Sequence, residues 1–221
     1  MGLDIYAHIV KKTRNREDFN TQAEYINALR EDADEAMLEE LKADAKEGMK
    51  SLRKAEREWK KDNPDKEFTM DYIRFEVNNF IYKLSKYFRY DFETKNLRSA
   101  GSIKELGDYL NKLYKYYYKP CDLYFRKVNC VYRYFEDRLE DESCFIEKSD
   151  AVDIIERATK ILESKDTELA EELLPTREGF FFGGTEYNEW YYQGLVEILS
   201  EFGGLLSKWD DGDLCYIHMS W

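Results

Sequence analysis

The sequence predicts a mostly helical α+β fold. It has a small mixed or antiparallel sheet of about four short strands with packed helices, plus a long antiparallel helical hairpin inserted after the first strand. Three observations carry this reading. Residues 3–10 alternate, with Leu3, Ile5, Ala7 and Ile9 on one side and Asp4, Tyr6, His8 and Val10 on the other, which is the period of a strand. From Ile26 to Trp59 apolar residues recur at threes and fours, the period of one helix face. The remaining chain mixes short strands and helices without the βαβ rhythm of a parallel sheet.

Taken in order, the 3–10 strand comes first. Thr21 and Glu24 then form the S/T-x-x-E pattern of a capping box. After them, Ile26, Leu29, Ala33, Met37, Leu41, Ala45, Met49, Leu52, Ala55 and Trp59 draw the stripe of a helix of about 40 residues. Its acidic half precedes its basic half, which complements the helix dipole, and Asn63-Pro64-Asp65 stops it. Ile73, Val77, Phe80, Leu84 and Tyr87 mark a second helix. Two long helices joined by a short turn read as an antiparallel hairpin. The expected division is a core of residues 1–13 and 100–221 and an inserted helical arm of residues 14–99. Such an arm either meets a partner, including a second copy of itself, or packs on the core.

Gly101 breaks the chain, and Ser102 with Glu105 opens a helix that runs to Tyr118 and ends at Pro120. Residues 122–140 read as a short extended start followed by helix. Cys144–Glu147 reads as a strand, and Ser149 or Asp150 as the cap of a helix carrying Val152, Ile155, Ala158 and Leu162. A short helix through Leu169–Leu173 ends at Pro175, and Phe180-Phe181-Phe182 reads as a short buried strand between glycines. A helix over about 186–206 and a strand from Leu214 to Trp221 complete the chain.

Composition narrows the class. With 18 Tyr, 13 Phe and 4 Trp in 221 residues, the chain can bury a real core, which excludes a disordered acidic polymer. No stretch approaches the roughly 20 apolar residues of a membrane span, and residues 1–12 lack the profile of a signal peptide. The cysteines, 121, 130, 144 and 215, contain no C-x-x-C pair and are too sparse for a disulfide scaffold. A cytoplasmic protein is expected.

The net charge of −12 is unevenly spread: residues 67–133 carry +5, residues 134–221 carry −15. The basic stretch also holds 17 Phe and Tyr. Rings interleaved with cations stack on nucleic acid in some proteins, but the acidic total argues against nucleic acid as the partner. Asymmetry of this kind governs partner choice and encounter more than fold.

Two segments stand out as binding residues. Arg126, Lys127 and Asn129 combine a guanidinium, an ammonium and an amide near a helix start, a set suited to phosphate or carboxylate. Alternatively, the two cations pair with the acidic C-terminal third. Gly183-Gly184 allows a sharp turn, Thr185 is placed to cap the next helix, and Tyr187 and Trp190 share a face of that helix. The same segment also reads as a structural corner. It fits neither a P-loop nor a dinucleotide fingerprint. No catalytic residue, metal site or cofactor is predicted; His8 and His218 would meet on the sheet with Asp4 only if their strands pair.

The passages Met1-Gly2-Leu3-Asp4-Ile5-Tyr6, Tyr124-Phe125-Arg126-Lys127-Val128-Asn129, Leu173-Leu174-Pro175-Thr176, Gly179-Phe180-Phe181-Phe182-Gly183 and Thr185-Glu186-Tyr187 together resemble a family of uncharacterised phage and bacterial proteins. Members open with Met-Gly-Leu-Asp and carry this C-terminal aromatic segment; many have His where Tyr132 stands here. The resemblance covers about residues 1–12 and 120–205 and implies that the arm is an insertion. It implies a phage-related origin, with no activity attached.

Two functions follow from the sequence. The leading one is a non-enzymatic acidic binding protein that acts on a host or self protein partner, including a homodimer through the arm. The alternative is a small-molecule or nucleotide binder, with a hydrolase as one form of it, and a pocket between Arg126-Lys127-Asn129 and the Thr185–Trp190 turn.

Overall fold

A computed structural model describes residues 2–88, 91–117, 119–180 and 182–221. The fold is α+β and mostly helical, with one four-stranded antiparallel sheet. The chain divides into two compact units, one of residues 1–31 and 121–221, the other of residues 32–120. These boundaries differ from the 14–99 arm read from sequence. The helix over Ile103–Leu113 belongs to the second unit. The first turns of the long helix belong to the first unit, where Gln22 Oε1 accepts the Phe145 N–H at 3.2 Å.

In the first unit, strands β1 (Asp4–Val10), β2 (Leu123–Arg126), β3 (Ser143–Ile146) and β4 (Leu214–Ser220) lie in the order β2-β1-β4-β3. β1 pairs with β4 along its whole length, from Asp4 opposite Ser220 to Val10 opposite Leu214. The alternation of β1 has its predicted consequence: Leu3, Ile5 and Ala7 are fully buried. They join Phe125, Cys144, Ile146, Ile217 and Met219 beneath helices α5 (Asn129–Phe135), α6 (Lys148–Ser164), α7 (Thr167–Leu173) and α8 (Glu189–Lys208). Phe202 of α8 meets Phe125 at 5.7 Å between ring centroids. Each such ring contributes roughly 1.5–3 kcal/mol by leaving water. The other face of the sheet carries stacked rings, Tyr6 on His218 and His8 on Tyr216. The two histidines thus share a face, each against a tyrosine. No cluster of metal-binding residues occurs among the described residues.

The predicted strand at Phe180–Phe182 is not formed. The Phe182 N–H closes a turn onto the Gly179 carbonyl at 3.1 Å. Phe180 is 97% exposed, whereas Phe182 is buried against Tyr132 and Trp221; Phe181 lies outside the described residues. A Cβ on Gly179 would sit 2.5 Å from the Phe182 ring, so the turn needs glycine there. The fourth strand is β2, which pairs with the outer edge of β1.

In the second unit, the latter part of α1 (Gln22–Asp62) packs antiparallel to α2 (Arg74–Leu84). Phe80 covers Gly48, and Lys86 lies 3.0 Å from Glu40. The start of α1 is as predicted: Thr21 Oγ1 accepts the Glu24 N–H and Glu24 Oε2 accepts the Thr21 N–H. The partner helix is shorter than the sequence suggested, with single 3-10 turns at Met70–Ile73 and Ser85–Tyr87 on either side. Two more helices, α3 (Asp91–Arg98) and α4 (Ile103–Leu113), close the unit around Leu41, Leu52, Val77, Ile81, Leu97 and Leu106. Tyr87 is buried and donates to Asp44 Oδ2 at 2.7 Å. Burial, then this bond, pushes its hydroxyl up to about 12. The helix predicted to reach Tyr118 ends at Leu113 and continues as a 3-10 turn over Tyr114–Tyr116; Tyr118 lies outside the described residues.

Candidate functional site

The site begins where β2 ends. Arg126 is opposite Asp4, at the end of the ladder. Lys127 then adopts φ 61°, the left-handed region, which costs a non-glycine residue on the order of 1 kcal/mol. Its N–H is held by the Leu3 carbonyl at 2.8 Å. This kink turns the chain from the edge strand into α5. The two cations therefore precede the helix rather than sit in it.

Gly183 also has a positive φ, 94°. A Cβ on it would lie 3.5 Å from the Lys127 Cβ, so the two left-handed residues lie against each other. Asn129, one of the few buried polar residues at 5% exposure, donates its side-chain amide to the Gly184 carbonyl at 2.9 Å. The sequence reading offered this amide to a ligand. It is instead bonded to Gly184 and ties together the two segments that form the site.

The third wall is α8. Its cap is Asn188, not Thr185: Asn188 Oδ1 accepts the Trp190 and Tyr191 N–H groups. Thr185 contributes its carbonyl to Thr176 Oγ1 at 3.0 Å. From the cap, Trp190, Gln193, Gly194 and Glu197 follow one another on one side of the helix. Gly194 lets Val128 approach, since a Cβ there would meet Val128 Cγ1 at 3.4 Å.

Together these segments enclose a cleft of about 500 Å³ lined by Arg126, Lys127, Asn129, Gly183, Gly184 and Trp190, with Glu186 and Glu197 among the other lining residues. Four of the six residues singled out in the sequence, Arg126, Lys127, Asn129 and Trp190, thus line one cavity. Thr185 and Tyr187 do not line it. The Tyr187 hydroxyl accepts the Thr176 N–H at 3.4 Å, and its ring packs edge-on against Tyr191, 4.8 Å away. Gln193 and Glu197 were missed by the sequence reading, though the helical spacing from Trp190 marked them.

Neither Arg126 nor Lys127 forms an ion pair among the described residues, so the predicted pairing with the acidic third is not made. Trp190 is 79% exposed. Cys130, a nucleophile by type, also lines the cleft, but burial pushes its thiol up to about 12, so it stays protonated at neutral pH. Tyr191 is buried, donates to the Leu174 carbonyl at 2.9 Å, and is likewise held above its ordinary range by burial.

A neighbouring cavity of about 410 Å³ contains Arg133, Arg138 and Arg157. Their charges are already answered, by Glu136, Asp150 and Asp153 respectively. In the Arg126–Trp190 cleft the two cations are in no such pair among the described residues, although Glu186 and Glu197 share the lining.

Compared with protein-family models, with curated proteins and with solved structures, the chain matches none.

Proposed function

We propose that the protein binds a small anionic molecule carrying a planar ring, of the nucleotide class, in the cleft between Arg126-Lys127 and Trp190. One observation carries the reading: two cations that form no ion pair among the described residues line the same cavity as a largely exposed indole, with Glu186 and Glu197 on the same lining. A guanidinium and an ammonium recognise phosphate, and an indole face stacks a base. The acceptor side chain of Glu197 on the α8 wall suits an N–H edge on the same ligand. The protonated state of Cys130 favours binding over covalent chemistry. A cytoplasmic setting is part of this proposal.

Isothermal titration with adenine and guanine nucleotides and with inorganic phosphate tests this. Binding at micromolar to millimolar Kd is expected, weakened at least about tenfold by Arg126→Ala and by Trp190→Ala, since each removes a principal contact. Absence of heat with every nucleotide at about 5 mM would overturn it.

A second reading, a protein partner on this face, is favoured by Phe180, which at 97% exposure is an anchor of the kind found at protein interfaces. It predicts a partner recovered from host lysate whose capture is lost with Phe180→Ser. The phage-related origin is part of this second reading.

A further inference from the structure

We propose that the second unit pairs with a second copy of this chain through the outward face of α2, in an antiparallel, two-fold arrangement. This proposal is independent of the cleft.

Helix α2 has two apolar faces. One, Val77, Phe80, Ile81 and Leu84, is buried in the unit's own core. The other is open. Phe75 and Tyr82 are 74% and 76% exposed, and with Asn79 between them they follow one another at steps of four and three; Tyr72, on the 3-10 turn before α2 and 53% exposed, stacks on Trp59 at 4.3 Å and borders the same patch. Those steps are the seam of a coiled coil, with Asn79 at a central seam position. A polar residue there sets register and orientation at some expense in stability. Two exposed rings on one helix face with a third beside them are more than scattered surface apolar residues.

The flank of this seam chooses the occupant. Glu76 and Lys83 lie seven residues apart, each one residue after a seam aromatic, and both border the same groove between α1 and α2. Neither is in an ion pair among the described residues. A two-fold axis near Asn79 turns this flank onto itself, so Glu76 of each copy meets the partner's Lys83. One helix therefore carries both halves of its own charge complement. A parallel pairing would not bring these flanks together. The groove has a volume of about 770 Å³ and includes the small residues Gly48 and Ser51. It provides room beside the seam for the partner's rings. The seam is only a few turns long, so the interface falls at the small end of the range and the dimer is weak, with micromolar to sub-millimolar Kd.

Sedimentation velocity of the full chain over about 5–500 µM tests the proposal. A concentration-dependent monomer–dimer equilibrium is expected, with Phe75→Glu weakening it at least about a hundredfold. Glu76→Lys and Lys83→Glu should each weaken it about tenfold, and the double variant Glu76→Lys/Lys83→Glu should restore it. All these side chains are exposed, and circular dichroism checks that each variant folds. A monomer throughout the range overturns the proposal and returns the seam to some other partner. So does a dimer indifferent to Phe75→Glu. Failure of the double swap to restore pairing overturns the antiparallel arrangement.

Discussion

Asn129 and Gly184 are 55 positions apart in sequence, and the side-chain amide of one donates to the carbonyl of the other at 2.9 Å. This bond joins the β2–α5 corner to the glycine turn before α8, and both segments line the cleft. Asn129→Leu removes the donor; Gly184 is exposed and water takes over its carbonyl, so the cost is the net worth of one hydrogen bond, about 0.5–1.5 kcal/mol. Urea unfolding should show that loss, and the same variant should lose nucleotide affinity although Asn129 need not touch the ligand.

Lys127 gives the opposite dissociation. Its left-handed backbone costs on the order of 1 kcal/mol, offset in part by the extra chain entropy of a glycine. Lys127→Gly should therefore leave stability unchanged or raise it by less than about 1 kcal/mol. It should still weaken binding of a phosphorylated ligand. Equal loss of stability and affinity would contradict a binding role for the ammonium.

The two capping candidates before α8 separate cleanly. Asn188→Ala should cost about 1 kcal/mol, the usual worth of an N-cap side chain. Thr185→Val should be nearly neutral, since it is the Thr185 carbonyl and not its hydroxyl that holds Thr176. Thermal unfolding of the two variants distinguishes them.

Gly48 lies under Phe80 so closely that a Cβ would fall 2.1 Å from the ring. Gly48→Ala should destabilise by about 1–3 kcal/mol through overpacking, despite a helix-propensity gain of about 1 kcal/mol. Combining it with Phe80→Leu should recover part of the loss, which a double-mutant cycle would measure.

His218 sets a pH dependence. Burial holds it below its ordinary range; Glu142 acts the other way and Arg30 reinforces the shift. Between the depressed value and about 6.5 the unfolded chain takes a proton that the folded chain does not. The stabilisation is thus complete above that window and declines as pH falls through it. Urea midpoints should drop from pH 7 to pH 5, and His218→Gln should flatten that drop. Asp44, held low by Tyr87 and Lys86, loses its contribution only below the ordinary carboxylate range, so the two effects separate.

Local pattern carried the elements whose cause is local. The alternation of residues 3–10 and the Thr21–Glu24 box each act within a few residues, and both are present in the fold. β2 was read only as an extended start, because four residues become a strand by pairing with β1, more than 100 residues away. Phe180-Phe181-Phe182 misled for the converse reason: three apolar residues suit a buried strand, but Gly179 and Gly183 permit a turn that sends Phe180 outward. At α8, both Thr185 and Asn188 are capping types, and composition did not choose between them. The cleft was legible in part. Cations, glycines and an indole were visible as chemistry, whereas the amide of Asn129 was assigned to a ligand because its carbonyl partner lies in another segment.

The central pair of the sheet, β1 and β4, joins residues 4–10 to residues 214–220. A ribosome releasing this chain must emit residues 214–220 before β1 finds its longer neighbour. Until then β1 can pair only with the short β2, while the 32–120 unit can complete its local helical contacts early. Closing such a distant pair makes assembly of the sheet slow relative to the helices. Nascent chains stalled short of residue 214 should hold a protease-resistant 32–120 fragment beside an unprotected β1.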